Sequence, residues 1–222
     1  TIPVWDALKL DGECFLCALR RKIELDETER CLGASVMEPD ARIRVNERGF
    51  CRHHQAMLFA TNNRLGHALM LHTHLGKTRE KLVKPFADLR KAAKTYAETS
   101  VTDKLTGKAT SARKEVERLS TQMAQQVNTC VLCESIEENM QRYVRTFFHL
   151  YKTDSEFRKH LAESKGLCLP DAAMLLEKAP AELPAKEVAA FVELILSLEE
   201  KSLQRIDGDI AWFIKKYDYR YD

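Results

Sequence analysis

One cysteine pattern occurs twice in this chain and constrains it more than any other feature. The first copy reads C-x2-C-x33-C-x2-H through Cys14, Cys17, Cys51 and His54. The second reads C-x2-C-x34-C-x2-D through Cys130, Cys133, Cys168 and Asp171. "CFLC" at 14–17 is answered by "CVLC" at 130–133, and "GFC" at 49–51 by "GLC" at 166–168. Within "GFCRHHQAML" and "GLCLPDAAML" the Gly, Cys, Ala, Met and Leu keep their places, and Arg42 corresponds to Arg158. The order of parts is also the same in each half: CxxC, a helical stretch, a short helix, Gly-apolar-Cys, then further helix. Such order at a fixed offset reads as an internal duplication.

Two ligands two residues apart can grip one metal ion from a helix start, and two such knuckles make a tetrahedral site. Cys3His is a common structural zinc arrangement, and thiolates suit zinc, a borderline-soft ion without geometric preference. The spacing predicts a first site at Cys14, Cys17, Cys51 and His54. It predicts a second at Cys130, Cys133, Cys168 and Asp171, where carboxylate replaces imidazole. Zinc is the expected ion, one or two per chain, with an Fe–S cluster as the lesser alternative. Ordinary buried thiols are the bland reading, and disulfides a further one that an intracellular setting disfavours. A redox CxxC is weaker, since no βαβ pattern surrounds either pair. Gly49 and Gly166 precede the third cysteines and would permit a left-handed turn. Cys31 reads as a packed core thiol, His53 as exposed or supporting. His67, His72 and His74 lack the acidic or thiol neighbours that would complete another site.

The fold class expected is all-α: an internally duplicated helical bundle with two Cys-rich metal-binding knuckles. Gly (8) and Pro (6) are few among 222 residues, and the apolar pattern follows a 3.6-residue period with no clear alternating strand. The parts expected are a first repeat over 1–98, a Thr-rich linker over 99–110 and a second repeat over 111–222. Leu16, Leu19, Ile23 and Leu32 form one apolar stripe; Ile136, Met140, Tyr143, Val144 and Phe147 form another. Pro85 should kink or break the long helical stretch from Arg64. "APAELPAKE" (179–187) reads as a turn before a final helix over 185–217. Trp212 and Phe213 are expected in the core. The long helices of both halves are expected to share one continuous core.

Lys and Arg total 35 against 33 Asp and Glu, a balance that gives no general pull toward nucleic acid or membrane. The basic stretch 77–94 makes nucleic-acid binding conceivable, but a solvated helix face is the simpler reading. No apolar run approaches the roughly 20 residues a membrane span needs. The N-terminal segment lacks the layout of a signal peptide, so a cytoplasmic location is expected. No Gly-rich phosphate loop, GxSxG or HExxH motif occurs, and no carboxylate pair stands out.

"IPVWDAL", "GECFLC", "GFCRHH", "CVLCESIEENMQRY" and "DIAWFIKKYDYRY" together resemble a bacterial group catalogued as domain of unknown function 6062. The resemblance covers most of the chain. It implies the paired Cys motifs and no activity; its second motif usually ends in His, from which Asp171 departs. The reading that results is a zinc-stabilised helical protein, non-catalytic, acting by binding an unidentified protein partner or in regulation. The alternative is a metal-dependent or thiol-based enzyme, or a metal-handling protein, that uses the second Cys cluster.

Overall fold

The computed structural model describes residues 1–98 and 108–217. Among these the protein is all-α. The ten helices are α1 (Ile2–Lys9), α2 (Phe15–Leu32), α3 (Pro39–Arg48), α4 (Arg52–Ala60), α5 (Arg64–Ala97), α6 (Lys108–Val127), α7 (Val131–Thr153), α8 (Ser155–Glu163), α9 (Leu169–Glu182) and α10 (Ala185–Lys215), with a 3-10 turn at Ala34–Val36. Two compact units result. One comprises Thr1–Glu24 and Ile136–Asp222; the other is Leu25–Ser135. These units cut across the division into 1–98 and 111–222. Of the expected linker, 108–110 lie in the first turn of α6, and 99–107 fall outside the described residues.

In the unit made from both ends of the chain, the core is aromatic. Phe147 packs on Phe15 (ring centroids 5.9 Å), Phe148 (5.3 Å), Phe157 (5.6 Å) and Phe191 (6.2 Å). Leu16, Leu19 and Ile23 from α2 and Ile136, Met140 and Val144 from α7 are buried in the same cluster, with Tyr143 against it. The Trp5 indole donates to the Asp154 carboxylate (3.2 Å), which also caps α8 by accepting from the Glu156 and Phe157 amides. α1 is short, eight residues with Pro3 in its first turn, and its period is too brief to read from the sequence.

The unit 25–135 has its own smaller core of Cys31, Leu32, Val36, Val45, Phe50, Leu58, Met70, Val131 and Leu132. Cys31 is a packed thiol as expected, its Sγ 3.8 Å from Met70 Sδ. The apolar residues therefore form two clusters, and the single continuous core expected from the sequence is corrected to one per unit.

Three further expectations change. α5 runs unbroken through Pro85, and α9 continues through Pro180 to Glu182, so only Leu183 and Pro184 remain of the turn drawn at 179–187. A proline inside a helix loses one hydrogen bond, but packing of the remaining turns can outweigh that loss. Trp212 and Phe213 are 60% and 55% exposed, not in the core. The amphipathic pattern of α10 shows an apolar face but does not say what covers it.

Candidate metal centres

Each cysteine pair is placed by the start of a helix. Cys14, Cys51, Cys130 and Cys168 immediately precede α2, α4, α7 and α9, and their carbonyls accept the first helical bond, from Ala18, Gln55, Glu134 and Ala172. Cys17, His54, Cys133 and Asp171 follow three residues later. Residues at those two positions lie on the same side of the first turn, so each helix start presents two donors together. A helix N-terminus also carries partial positive charge, which favours thiolate and carboxylate there.

The approach to α4 and α9 is set by glycine. Gly49 has φ +64° and Gly166 φ +101°, the only positive values among the described residues. A Cβ on Gly49 would lie 2.4 Å from the His74 ring. The Gly49 carbonyl accepts from the Val131 amide (3.0 Å), and Thr129 Oγ1 donates to the Arg48 carbonyl (2.6 Å). These bonds hold the start of α7 beside the start of α4. Near α9, the Leu167 amide donates to the buried Glu199 carboxylate (2.9 Å).

The eight residues singled out by the sequence come together in two groups of four, but not in the expected pairing. Cys14 and Cys17 join Cys168 and Asp171; Cys51 and His54 join Cys130 and Cys133. The donor atoms in each group lie within 4.8 Å of one another. The expected sets Cys14/Cys17/Cys51/His54 and Cys130/Cys133/Cys168/Asp171 are thus corrected to crossed ones. The reason is helix length. α2 has 18 residues and α7 has 23, about 27 and 35 Å at 1.5 Å per residue. Each of these helices begins in one compact unit and ends in the other, so its first turn joins the donors of the unit it begins in.

In one group three sulfurs surround a single ring nitrogen. His54 Nδ1 lies 3.3 Å from Cys51 Sγ, 3.2 Å from Cys130 Sγ and 3.4 Å from Cys133 Sγ. A neutral imidazole nitrogen offers one proton or one lone pair, so three hydrogen bonds at that atom are impossible. In the other group Asp171 Oδ2 lies 3.2 Å from Cys14 Sγ, 3.4 Å from Cys17 Sγ and 3.2 Å from Cys168 Sγ. The sulfur–sulfur edges are 3.7 Å for Cys51–Cys133, 3.5 Å for Cys17–Cys168 and 3.9 Å for Cys14–Cys168. Zinc–sulfur bonds of about 2.3 Å at tetrahedral angles set such edges at about 3.8 Å. Both donor sets therefore fit a tetrahedral divalent ion.

Without a cation, crowding works against ionisation. Burial raises the Cys14 thiol to about 11, despite the Cys17 amide donating to its sulfur at 3.4 Å. Burial and then the neighbouring Cys130 raise Cys133 to about 12. Cys17 is raised further still, by burial and by Cys168 beside it. At Cys51 burial acts upward, but the His54 amide and the neighbouring thiols outweigh it and the thiol is lowered. A bound cation would reverse the balance at Cys14, Cys17 and Cys133.

Several other candidates have partners within the protein. His67 is buried, bonded through Nε2 to Gln55 Oε1 (2.9 Å) and lowered by burial. His74 Nδ1 donates to the Asn46 carbonyl (3.1 Å). In the basic stretch, Lys77, Lys81 and Lys84 pair with Glu80 (3.5 Å), Glu47 (2.5 Å) and Asp88 (2.5 Å), so its charge is partly answered by its own surface. No described helix is long and apolar enough to cross a membrane.

The model of a family described as a family of unknown function (DUF6062) matches residues 1–222, so the chain belongs to that family. No curated protein and no solved structure matches it.

Proposed function

We propose that this DUF6062 chain is a zinc-stapled helical scaffold, non-catalytic, that acts by binding a partner or in regulation. One zinc ion is held by Cys51, His54, Cys130 and Cys133, and a second by Cys14, Cys17, Cys168 and Asp171. The observation that carries the reading is three sulfurs gathered around one nitrogen in the first group and one carboxylate oxygen in the second. Four protein donors saturate a tetrahedral shell and leave no position for substrate, which favours a structural role over the enzymatic alternative. The chemistry zinc supplies is the joining of two helix starts that are remote in sequence. The repeated order of parts, with Arg42 and Arg158 each donating to a carbonyl six residues earlier, Val36 (3.4 Å) and Lys152 (3.2 Å), supports descent of the two halves by duplication.

The test is elemental analysis of protein purified without chelator, with a visible spectrum to separate zinc from an Fe–S cluster. The expected result is two zinc ions per chain, no visible absorption band, and a large fall in melting temperature with EDTA. Structural zinc in small peptides contributes an apparent ~10–16 kcal/mol. Metal-free protein whose melting ignores EDTA would sink the reading.

A further inference from the structure

The last turns of α10 and the two residues after it carry a face that no described residue covers. Phe191, Ile195 and Leu198 are buried, and Ser202 is the last buried residue of the helix. From 203 to 217 every residue is exposed except the half-buried Arg205. Leu203, Ile206, Ile210, Phe213 and Tyr217 are 38–78% exposed. Their spacing alternates three and four, the seam of a coiled coil. Gly208 sits in the middle of the stretch with open space around it, and an interior glycine costs a helix about 1 kcal/mol. An unpacked segment of this length is marginal alone.

We propose that this seam pairs with the same seam of a second copy of the chain, antiparallel. The flanking charges choose the arrangement. If Ile210 of one copy layers against Phe213 of the other, and Ile206 against Tyr217, then Asp209 falls opposite Lys216 of the second copy, twice by symmetry. Shifting by one heptad instead sets Asp209 against Asp209 and Asp207 against Asp207. A parallel pair sets Asp209 against Ile214 and Ser202 against Asp207, with no opposite charges. Both antiparallel registers stack apolar layers, but only the first sets opposite charges beside them. Asp209 is 72% exposed although Arg205 lies 3.5 Å away, so it remains accessible to a partner. The two-fold makes the contact closed, the usual form of a homodimer.

The experiment is light scattering coupled to size exclusion on the full chain with zinc and reductant, over a range of concentrations. Reductant prevents the exposed Cys17 and Cys133 from linking copies covalently. A reversible dimer is expected. Ile210→Asp should raise its dissociation constant about thirtyfold or more, the effect of losing a packed anchor, with zinc content and monomer fold unchanged. Asp209→Lys should weaken it, and Asp209→Lys combined with Lys216→Asp should restore it. A monomer at every concentration overturns the proposal. So does failure of the double charge exchange to rescue, which removes the antiparallel register. A monomer that instead cosediments with phosphatidylglycerol vesicles through Ile210 and Phe213 also overturns it, assigning the face to lipid. None of these outcomes depends on the zinc count, so the two proposals fail separately.

Discussion

At the residue scale, His54 and Asp171 occupy matching places and put different charge into their groups. Three thiolates and an imidazole around a divalent ion leave one net negative charge; three thiolates and a carboxylate leave two. The Asp171 group therefore depends more on nearby amides and on water reaching the exposed Cys17. Asp171→Ala should cost one zinc per chain or weaken it at least tenfold, while Asp171→His should keep or tighten it, as counted by metal competition. An Ala variant with unchanged affinity would remove Asp171 from the ligand set. Gly49→Ala is a second residue-scale case. Its φ of +64° and the His74 ring 2.4 Å from the added carbon both oppose the change. A loss of about 2 kcal/mol or more is expected in urea unfolding of the zinc-loaded protein. The eight residues that gather into two groups were legible in the sequence because both signals are local: residue type and a three-residue step. Their partners were not, since which helix starts meet depends on where long helices end.

At the element scale, four helix starts carry the candidate ligands, and pH acts through them. In the metal-free protein Cys14 is held at about 11, against an ordinary 9.0, because burial disfavours its thiolate. Between those values the unfolded chain has released a proton that the folded chain keeps, so folding stability falls as pH rises. Cys133, raised to about 12, extends the window upward. Melting of EDTA-treated protein should therefore drop from about pH 9 to 12. Zinc-loaded protein should show the opposite slope on the acid side, because protons compete with zinc for the thiolates. A metal-free melting temperature that is flat across the alkaline window would contradict the thiol environments described. The apolar stripes of α2 and α7 were readable from their period, although Leu32 packs in the other cluster. The free end of α10 was misread because a stripe marks a face without marking its cover.

At the scale of the molecule, one compact unit is assembled from the two ends of the chain and the other from its middle. Crossed ligand sets follow that division and can be tested by double-mutant cycles on zinc affinity. Cys14→Ser with Cys168→Ser should be strongly non-additive, since both strike one ion; Cys14→Ser with Cys51→Ser should be additive. The reverse result would restore the local pairing that sequence spacing suggests. The interleaving also sets an order of events during synthesis. All four donors of the Cys51 group have left the ribosome once Cys133 has emerged. Cys17 must wait for Cys168, 151 residues later, roughly 10–30 s at ordinary elongation rates. During that interval Cys14 and Cys17 lack the other two members of their group, and in the nascent chain they stand open to oxidants and to stray metals.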